Sequence, residues 1–241
     1  MIEWNGRRVL IAGATGGVGA SVAAAAAEAG AHVLLLGRRR AELESLASRI
    51  ETHGGRATVA VADAVDSAQV QSAVAELDDA VGGVDALVNT VGINIRSRRL
   101  DQLDEQAWRT VIDVNLTAAF VLTKAVLPVF QRQQDGHIVH IASTAAHTAD
   151  LSGAAYQASK AGLGALARAT MLESSGDGVR VSTVYPGLIA TDFVRHRPQP
   201  PAPGELDRAL QPSDVAAVCM TILSLPPRAV VSEVVMAPAR Q

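Results

Sequence analysis

Cysteine and aromatic side chains are the scarcest resources of this 241-residue chain. The single cysteine, Cys219, excludes an intramolecular disulfide and any cluster of cysteine thiolates around a metal. Within "DVAAVCMTIL" it reads as a buried structural thiol. Aromatics make up 3% of the residues against 49% hydrophobic residues in all, so Ala, Val, Leu and Ile have to fill the core, and backbones can approach closely. The formal charge of −3 offers no attraction for nucleic acid or an anionic membrane. No uninterrupted apolar run approaches the ~20 residues that cross a bilayer, and "MIEWNGRRVLIAG" lacks the pattern of a signal peptide. The six histidines, at 32, 53, 137, 140, 147 and 196, show no metal-ligand spacing, so no metal is expected. A soluble, cytoplasmic protein that handles small molecules is the expectation.

What is present alternates. "RVLIA" (8–12), "AHVLLLG" (31–37), "ATVAVAD" (57–63), "VDALVNTVG" (84–92), "GHIVHIAS" (136–143), "VRVSTVYPG" (179–187) and "AVVSEVVMA" (229–237) read as strands. Helical stretches lie between them, such as "SVAAAAAEAG" (21–30), closed by Gly30. Strands apolar on both faces and interleaved with helices predict a doubly wound, Rossmann-type α/β fold: a parallel sheet with helices on both faces. No linker or repeat divides the chain, so 1–241 read as one domain. Prolines in "VRHRPQPPAPGEL" (194–206) forbid continuous helix or strand. A loop of that length in a compact domain reads as a lid, placed at about 190–212.

The first strand runs directly into "AGATGGVGAS", with Gly13, Gly17 and Gly19 in the order G-x-x-x-G-x-G. Between a strand and a helix, such glycines allow a tight turn, a close backbone approach to a pyrophosphate, and free N–H donors at the helix start. The end of the second strand should then distinguish two dinucleotides. An NAD site usually places an acid there for the ribose 2′-hydroxyl. Here the sequence is "LLLGRRRAEL": Gly37 removes the acid, and Arg38, Arg39 and Arg40 open a helix where positive charge opposes the helix dipole. A 2′-phosphate accounts for that mismatch, so NADP(H) is expected over NAD(H), with Arg38 the best-placed guanidinium and Arg39 sharing its load. A solvated basic patch balanced by Glu42 and Glu44 is the plainer alternative.

Tyr156 and Lys160, in "YQASK", are four apart and share a helix face. Ser143 closes the fifth strand, at the sheet edge where open α/β folds bind ligands, and Asn115 lies in the helical "VIDVNLTAAF". With the glycine loop, "NTVG" at 89–92 and "PGLIATD" at 186–192, these features make the chain resemble the short-chain dehydrogenase/reductase family over nearly its whole length.

The resemblance implies an NADP(H)-dependent oxidoreductase that moves a hydride between the cofactor and a ketone or aldehyde, or the reverse from a secondary alcohol. Tyr156 would be the acid and base, Lys160 would lower its pKa and hold the nicotinamide ribose, Ser143 would polarise the substrate oxygen, and Asn115 would help hold a water. Bringing a phenol from about 10 toward neutrality takes roughly 3 to 4 kcal/mol of differential stabilisation of the phenolate. The family's cofactor contacts carry over to Gly13, Thr15, Gly17, Val18 and Gly19, to Asp63 and Ala64 near the adenine, and to Asn89 and Gly92 beside the adenosine ribose. They also carry over to Pro186, Gly187, Ile189 and Thr191 at the carboxamide, besides Tyr156, Lys160, Arg38 and Arg39. The family further suggests a homotetramer or homodimer. "NTVG" replaces a commoner N-N-A-G, and Ala12 stands where threonine often precedes the first glycine. A cofactor-binding sensor or structural protein is the alternative function. Substrate identity is not legible. Five arginines in "NIRSRRL" (94–100) and "RHR" (195–197) could rim one mouth; solvated loop charge is their plainer account, an anionic substrate the sharper one.

Overall fold

A computed structural model describes residues 3–199, 201–202 and 204–239; Pro200 and Pro203, within the expected lid, lie outside them. Strands and helices alternate in the expected order: β1 (Arg8–Ala12), α1 (Gly17–Glu28), β2 (His32–Gly37), α2 (Arg40–Thr52), β3 (Arg56–Val61), α3 (Ser67–Val81) and β4 (Ala86–Asn89). Then come α4 (Glu105–Ile112), α5 (Ala118–Gln133), β5 (Gly136–Ile141), α6 (Ala154–Ser174), β6 (Val179–Pro186), α7 (Pro212–Leu223) and β7 (Glu233–Met236). The strands form one parallel sheet in the order β3-β2-β1-β4-β5-β6-β7.

Strand periodicity sorts the core into two layers. Val9, Ile11, Val33 and Leu35 face α1, α2 and α7, whose Val22, Ala26, Leu43, Ile50 and Val215 complete one layer. Leu10, Leu34, Leu36 and Leu87 face α3 and α5, with Val70, Leu77, Leu122 and Phe130. Aliphatic side chains and alanine fill nearly all of both layers, with Trp4 and Phe130 the aromatic members. The run from Glu105 to Gln133 is a single helical rod long and apolar enough to cross a membrane, although no uninterrupted apolar run of that length stands in the sequence. Polar residues separate its apolar positions, and much of that apolar face is buried against the sheet and α3.

Several boundaries differ from the sequence reading. The third and fifth strands end at Val61 and Ile141, so Asp63 and Ser143 stand past the strand ends, in the loops. Gly30, at φ +93°, turns the chain after α1 has ended at Glu28. The last strand keeps only Glu233–Met236. Residues Asp113–Thr117, between α4 and α5, make a π turn rather than α-helix, a widening common at functional sites.

Candidate active site

The strand order reverses between β1 and β4, and a crevice opens there at the carboxyl ends of the strands. A cavity of about 600 Å³ fills it, lined by the loops that follow β1, β4, β5 and β6.

The glycine loop forms the floor of this cleft. Gly13 has φ +79°, a conformation that glycine adopts without strain. A Cβ on Gly19 would lie 2.4 Å from the Gly13 carbonyl oxygen and 2.8 Å from the Thr90 hydroxyl, so the loop closes only because no side chain is present. Helices α3 and α4 begin with Asp66 and Asp104 accepting bonds from their first-turn N–H groups. Helix α1 begins at Gly16 without a side-chain cap, and its N-terminal donors point to the cleft edge where Gly16, Gly17, Val18 and Gly19 line it. An anion is the partner such a helix start accepts, so these residues fit a dinucleotide pyrophosphate.

At the end of β2 the arginines divide. Arg39 is the N-cap residue of α2, lines the cleft, pairs with Glu42 at 2.7 Å and donates to the Thr15 hydroxyl at 2.7 Å. Arg38 is not among the cavity-lining residues and lies 3.6 Å from Asp63. In the ligand-free cleft Arg39 is thus the guanidinium at the cavity wall, and Arg38, the one expected to be best placed for a 2′-phosphate, stands beside it near Asp63.

At the opposite end, Ser143, Tyr156 and Lys160 come together. Ser143 caps the short 3-10 turn Thr144–Ala146 by accepting from Ala145 N–H at 3.2 Å, and it shares a hydrogen bond with the Tyr156 phenol. Lys160 is buried, its Nζ donates to the Ile141 carbonyl at 3.0 Å, and it lies 5.8 Å from the Tyr156 ring centroid. Burial lowers Lys160 to about 8. Burial also raises Tyr156 to about 12, with the Ser143 bond and Arg98 pulling down and Asp150 pushing up. In the ligand-free cleft desolvation outweighs the pull of the neighbouring donors and cations on the phenol, while the Lys160 ammonium bonds to the Ile141 carbonyl.

Asn115, fully buried in the π turn, spends its amide on structure: Oδ1 accepts from Ile93 N–H at 2.7 Å, and Nδ2 donates to the Ile93 carbonyl and to Ser159 Oγ, each at 3.0 Å. Ser159 Oγ in turn donates to the Tyr156 carbonyl at 2.7 Å, which ties α6 to the segment after β4. Gly92 leaves open the space that Lys160 Nζ and Asn115 Oδ1 share: a Cβ there would stand 3.2 Å and 3.5 Å from them.

Thr15, Gly17, Val18, Gly19, Gly92, Pro186, Gly187, Ile189 and Thr191 all line the cleft. Gly13, Asp63, Ala64 and Asn89 do not. Asn89 is buried behind it, where Oδ1 accepts from Val91 N–H at 3.0 Å and Nδ2 meets His140 Nδ1 at 3.2 Å. His140 is held neutral, its pKa lowered to about 3 by burial and the Lys160 charge. The sequence reading missed His140, which no local pattern singled out. It also missed the work of Thr90, whose hydroxyl donates to the Ala12 carbonyl at 2.8 Å and packs on the loop glycines. The two departures thus meet in space, the Thr90 hydroxyl bonding to the carbonyl of Ala12.

Comparison with known proteins places this geometry. The family model for short chain dehydrogenase matches residues 7–201. An uncharacterized oxidoreductase of Staphylococcus saprophyticus is 30% identical over 99% of this chain and 100% of its own length. A metagenomic short-chain oxidoreductase in complex with NADP superposes with a TM-score of 0.85 at 28% identity, covering 100% of both chains. An alcohol dehydrogenase from the archaeon Thermococcus sibiricus complexed with 5-hydroxy-NADP gives 0.87 at 26% identity, covering 98% of this chain and 97% of its own. By sequence and by fold, the chain belongs to the short-chain dehydrogenase/reductase family of oxidoreductases.

Proposed function

We propose that the protein transfers a hydride between NADP(H) and a carbonyl compound, acting as a ketone or aldehyde reductase or, in reverse, on a secondary alcohol. The observation that carries this reading is the convergence of Ser143, Tyr156 and Lys160 on the cleft whose other end is the uncapped start of α1. The bound nicotinamide supplies or accepts the hydride. Tyr156 delivers a proton from its phenol to the substrate oxygen, and Ser143 orients that oxygen with its hydroxyl. Lys160 offsets the phenolate left behind. Asn115 holds the wall that keeps Lys160 and Tyr156 in place. Arg39, with Arg38 beside it, takes the 2′-phosphate, in keeping with the NADP and 5-hydroxy-NADP complexes of the similar structures. The described residues of the segment 190–212 serve as the lid. The exposed Phe120 on α5 and Leu172 on α6 suit a homodimer or homotetramer joined through these helices.

The test is a turnover screen of ketones, diketones, acyl thioesters and sugars with NADPH and NADH, run on the parent and on Tyr156→Phe. Turnover in the parent with a loss of about 10²-fold or more in the variant is expected, the usual weight of a positioned acid. Undiminished turnover in Tyr156→Phe removes the phenol from the mechanism. A parent that binds NADPH and turns over nothing is a sensor.

A further inference from the structure

The lid brings one of the chain's three phenylalanines to the reacting end of the cleft. Phe193, in the 3-10 turn Asp192–His196, lines the cavity with Leu188 and Val194. Its ring lies 6.1 Å from the Tyr156 ring, centroid to centroid, with the planes tilted by 52°, a spacing at which aromatic pairs attract. Even so, 38% of the residue stays exposed. Proton and hydride transfer make no use of this ring.

The turn that carries it is held on several sides. Its N-cap residue, Thr191, packs on the glycine loop, where a Cβ on Gly17 would lie 2.8 Å from Thr191 Cγ2. Just before it, Ala190 N–H donates to the Leu210 carbonyl at 2.8 Å, and Leu210 N–H donates to the Leu188 carbonyl at 3.0 Å, which ties the two ends of the lid together. Arg195 pairs with Asp192 at 3.0 Å, and Arg96, from the loop after β4, donates to the Arg195 carbonyl at 3.3 Å. The ring is therefore presented from a frame that also touches the cofactor loop.

The polar groups at the same mouth are engaged within the protein. Asn94 donates to the Ser152 carbonyl at 3.0 Å and accepts from Ile95 N–H at 2.8 Å. Asp150 Oδ1 accepts from Ser152 N–H at 2.8 Å and from the Ser152 hydroxyl. Arg197 pairs with Glu205 at 2.7 Å, Arg99 pairs with Asp101 at 3.0 Å, and Arg98 Nε donates to the Ile95 carbonyl at 2.8 Å. The five arginines of the two flanking runs thus have partners of their own, and none calls for an anionic substrate. The lid adds apolar surface, and removing that surface from water favours binding. A carbonyl oxygen that takes the Tyr156 proton brings its carbon substituents close to the phenylalanine beside that tyrosine.

Building on the hydride-transfer reading of the same cleft, we infer that Phe193 sets substrate choice by packing on an apolar, ring-sized substituent next to the reacting carbonyl. The protein then acts on ketones with a bulky apolar arm in preference to small or hydroxylated ones. The test measures kcat/KM with NADPH for phenylacetone, acetone and dihydroxyacetone, and titrates phenylacetone by calorimetry into protein saturated with NADP. Phenylacetone should exceed each of the other two by about 10-fold or more, the least that one further methylene contributes in an apolar pocket. Phe193→Ala should lower both ratios by at least roughly 2-fold to 13-fold, the range of an aromatic pair beyond its area, and Phe193→Leu should keep more of them. A purely structural role would scale all three ketones alike. The parent's own ratios decide even if both variants misfold. Ratios at or below unity in the parent, or ratios that a folded Phe193→Ala leaves unchanged, overturn the inference and leave hydride transfer standing. Phenylacetone that binds while none of the three ketones is reduced overturns hydride transfer and leaves the apolar wall standing. Phenylacetone that neither binds nor reacts, with the other two also inert, overturns both.

Discussion

The expected cofactor preference turns on Gly37, which ends β2, and on Arg38 and Arg39 after it, and its size can be worked from their contacts. Arg39 lines the cleft against Thr15, whereas Arg38 is engaged by Asp63. A hydrogen bond from a guanidinium to a phosphate contributes about 1.5 to 3 kcal/mol net. Reaching it loosens exposed ion pairs, Arg39 with Glu42 and Arg38 with Asp63, of a kind worth about 0 to 1 kcal/mol. Central values of these ranges leave a balance of about 1 to 2 kcal/mol, or roughly 5-fold to 30-fold in favour of NADPH over NADH. Arg39→Ala should abolish most of that preference by weakening NADPH alone, and Arg38→Ala should have the smaller effect because Asp63 competes for its side chain. Gly37→Asp is sterically open: a Cβ there would touch only the Leu43 side chain, at 3.6 Å or more. The new carboxylate would repel a 2′-phosphate and accept from a ribose hydroxyl, moving the balance to NADH. Fluorescence titration of both reduced cofactors against the parent and three variants measures this. A parent with equal Kd values for the two refutes the reasoning and leaves the arginines as the solvated start of α2.

Two further outcomes follow from packing and burial. Gly19→Ala should lower stability by about 1 to 3 kcal/mol, the usual range for overpacking, and weaken both cofactors, because its Cβ meets backbone atoms of Gly13 and Ala14 that cannot swing aside; unchanged Tm and Kd would contradict the cradle. His137 and His140 are both lowered to about 3, chiefly by burial and further by Arg180 and Lys160 respectively. Between about pH 3 and 6.5 the unfolded chain therefore binds more protons than the folded one, so stability rises with pH across that window and is lost on acidification. The urea midpoint should fall steadily from pH 6.5 to pH 4.5, ahead of the carboxylates, and a flat midpoint would show that these rings take up protons while folded.

The layout of the molecule was legible because it rests on local periodicity. Runs such as "HVLLLG" have no polar face, so they fit only the middle of a covered parallel sheet, and the glycines at 13, 17 and 19 announce a turn that excludes side chains. Strand ends were less legible. Ala62 and Ala142 continue the apolar pattern past the strand ends at Val61 and Ile141, and nothing local marks where a neighbouring strand stops. What the sequence hid altogether was three-dimensional competition for side chains. Arg38 and Arg39 are adjacent in the chain, yet Asp63, from the loop after β3, captures one and leaves the other to the cleft. In the same way, "NIRSRRL" contains three arginines of equal appearance, and only the packing of Gly153 and Asn94 identifies Arg98 as the buried one.

The pair in "YQASK" shows the same separation of pattern from energetics. Spacing alone places Tyr156 and Lys160 on one face, and the structure keeps them there, with Nζ 5.8 Å from the ring centroid. Spacing could not supply the dielectric. Burial favours the neutral form of each group, so it moves them in opposite directions, the phenol up to about 12 and the ammonium down to about 8. The free cleft therefore favours a protonated phenol beside a lysine whose charge burial weakens. That is the charge state required to protonate an oxyanion as it forms, and the ammonium then stands near the phenolate that remains. Oxidation of an alcohol must start from the phenolate instead, which the free cleft disfavours. On the proposed chemistry, a protonated phenol serves the carbonyl-reducing step, and a lowered phenol pKa is not needed for that step.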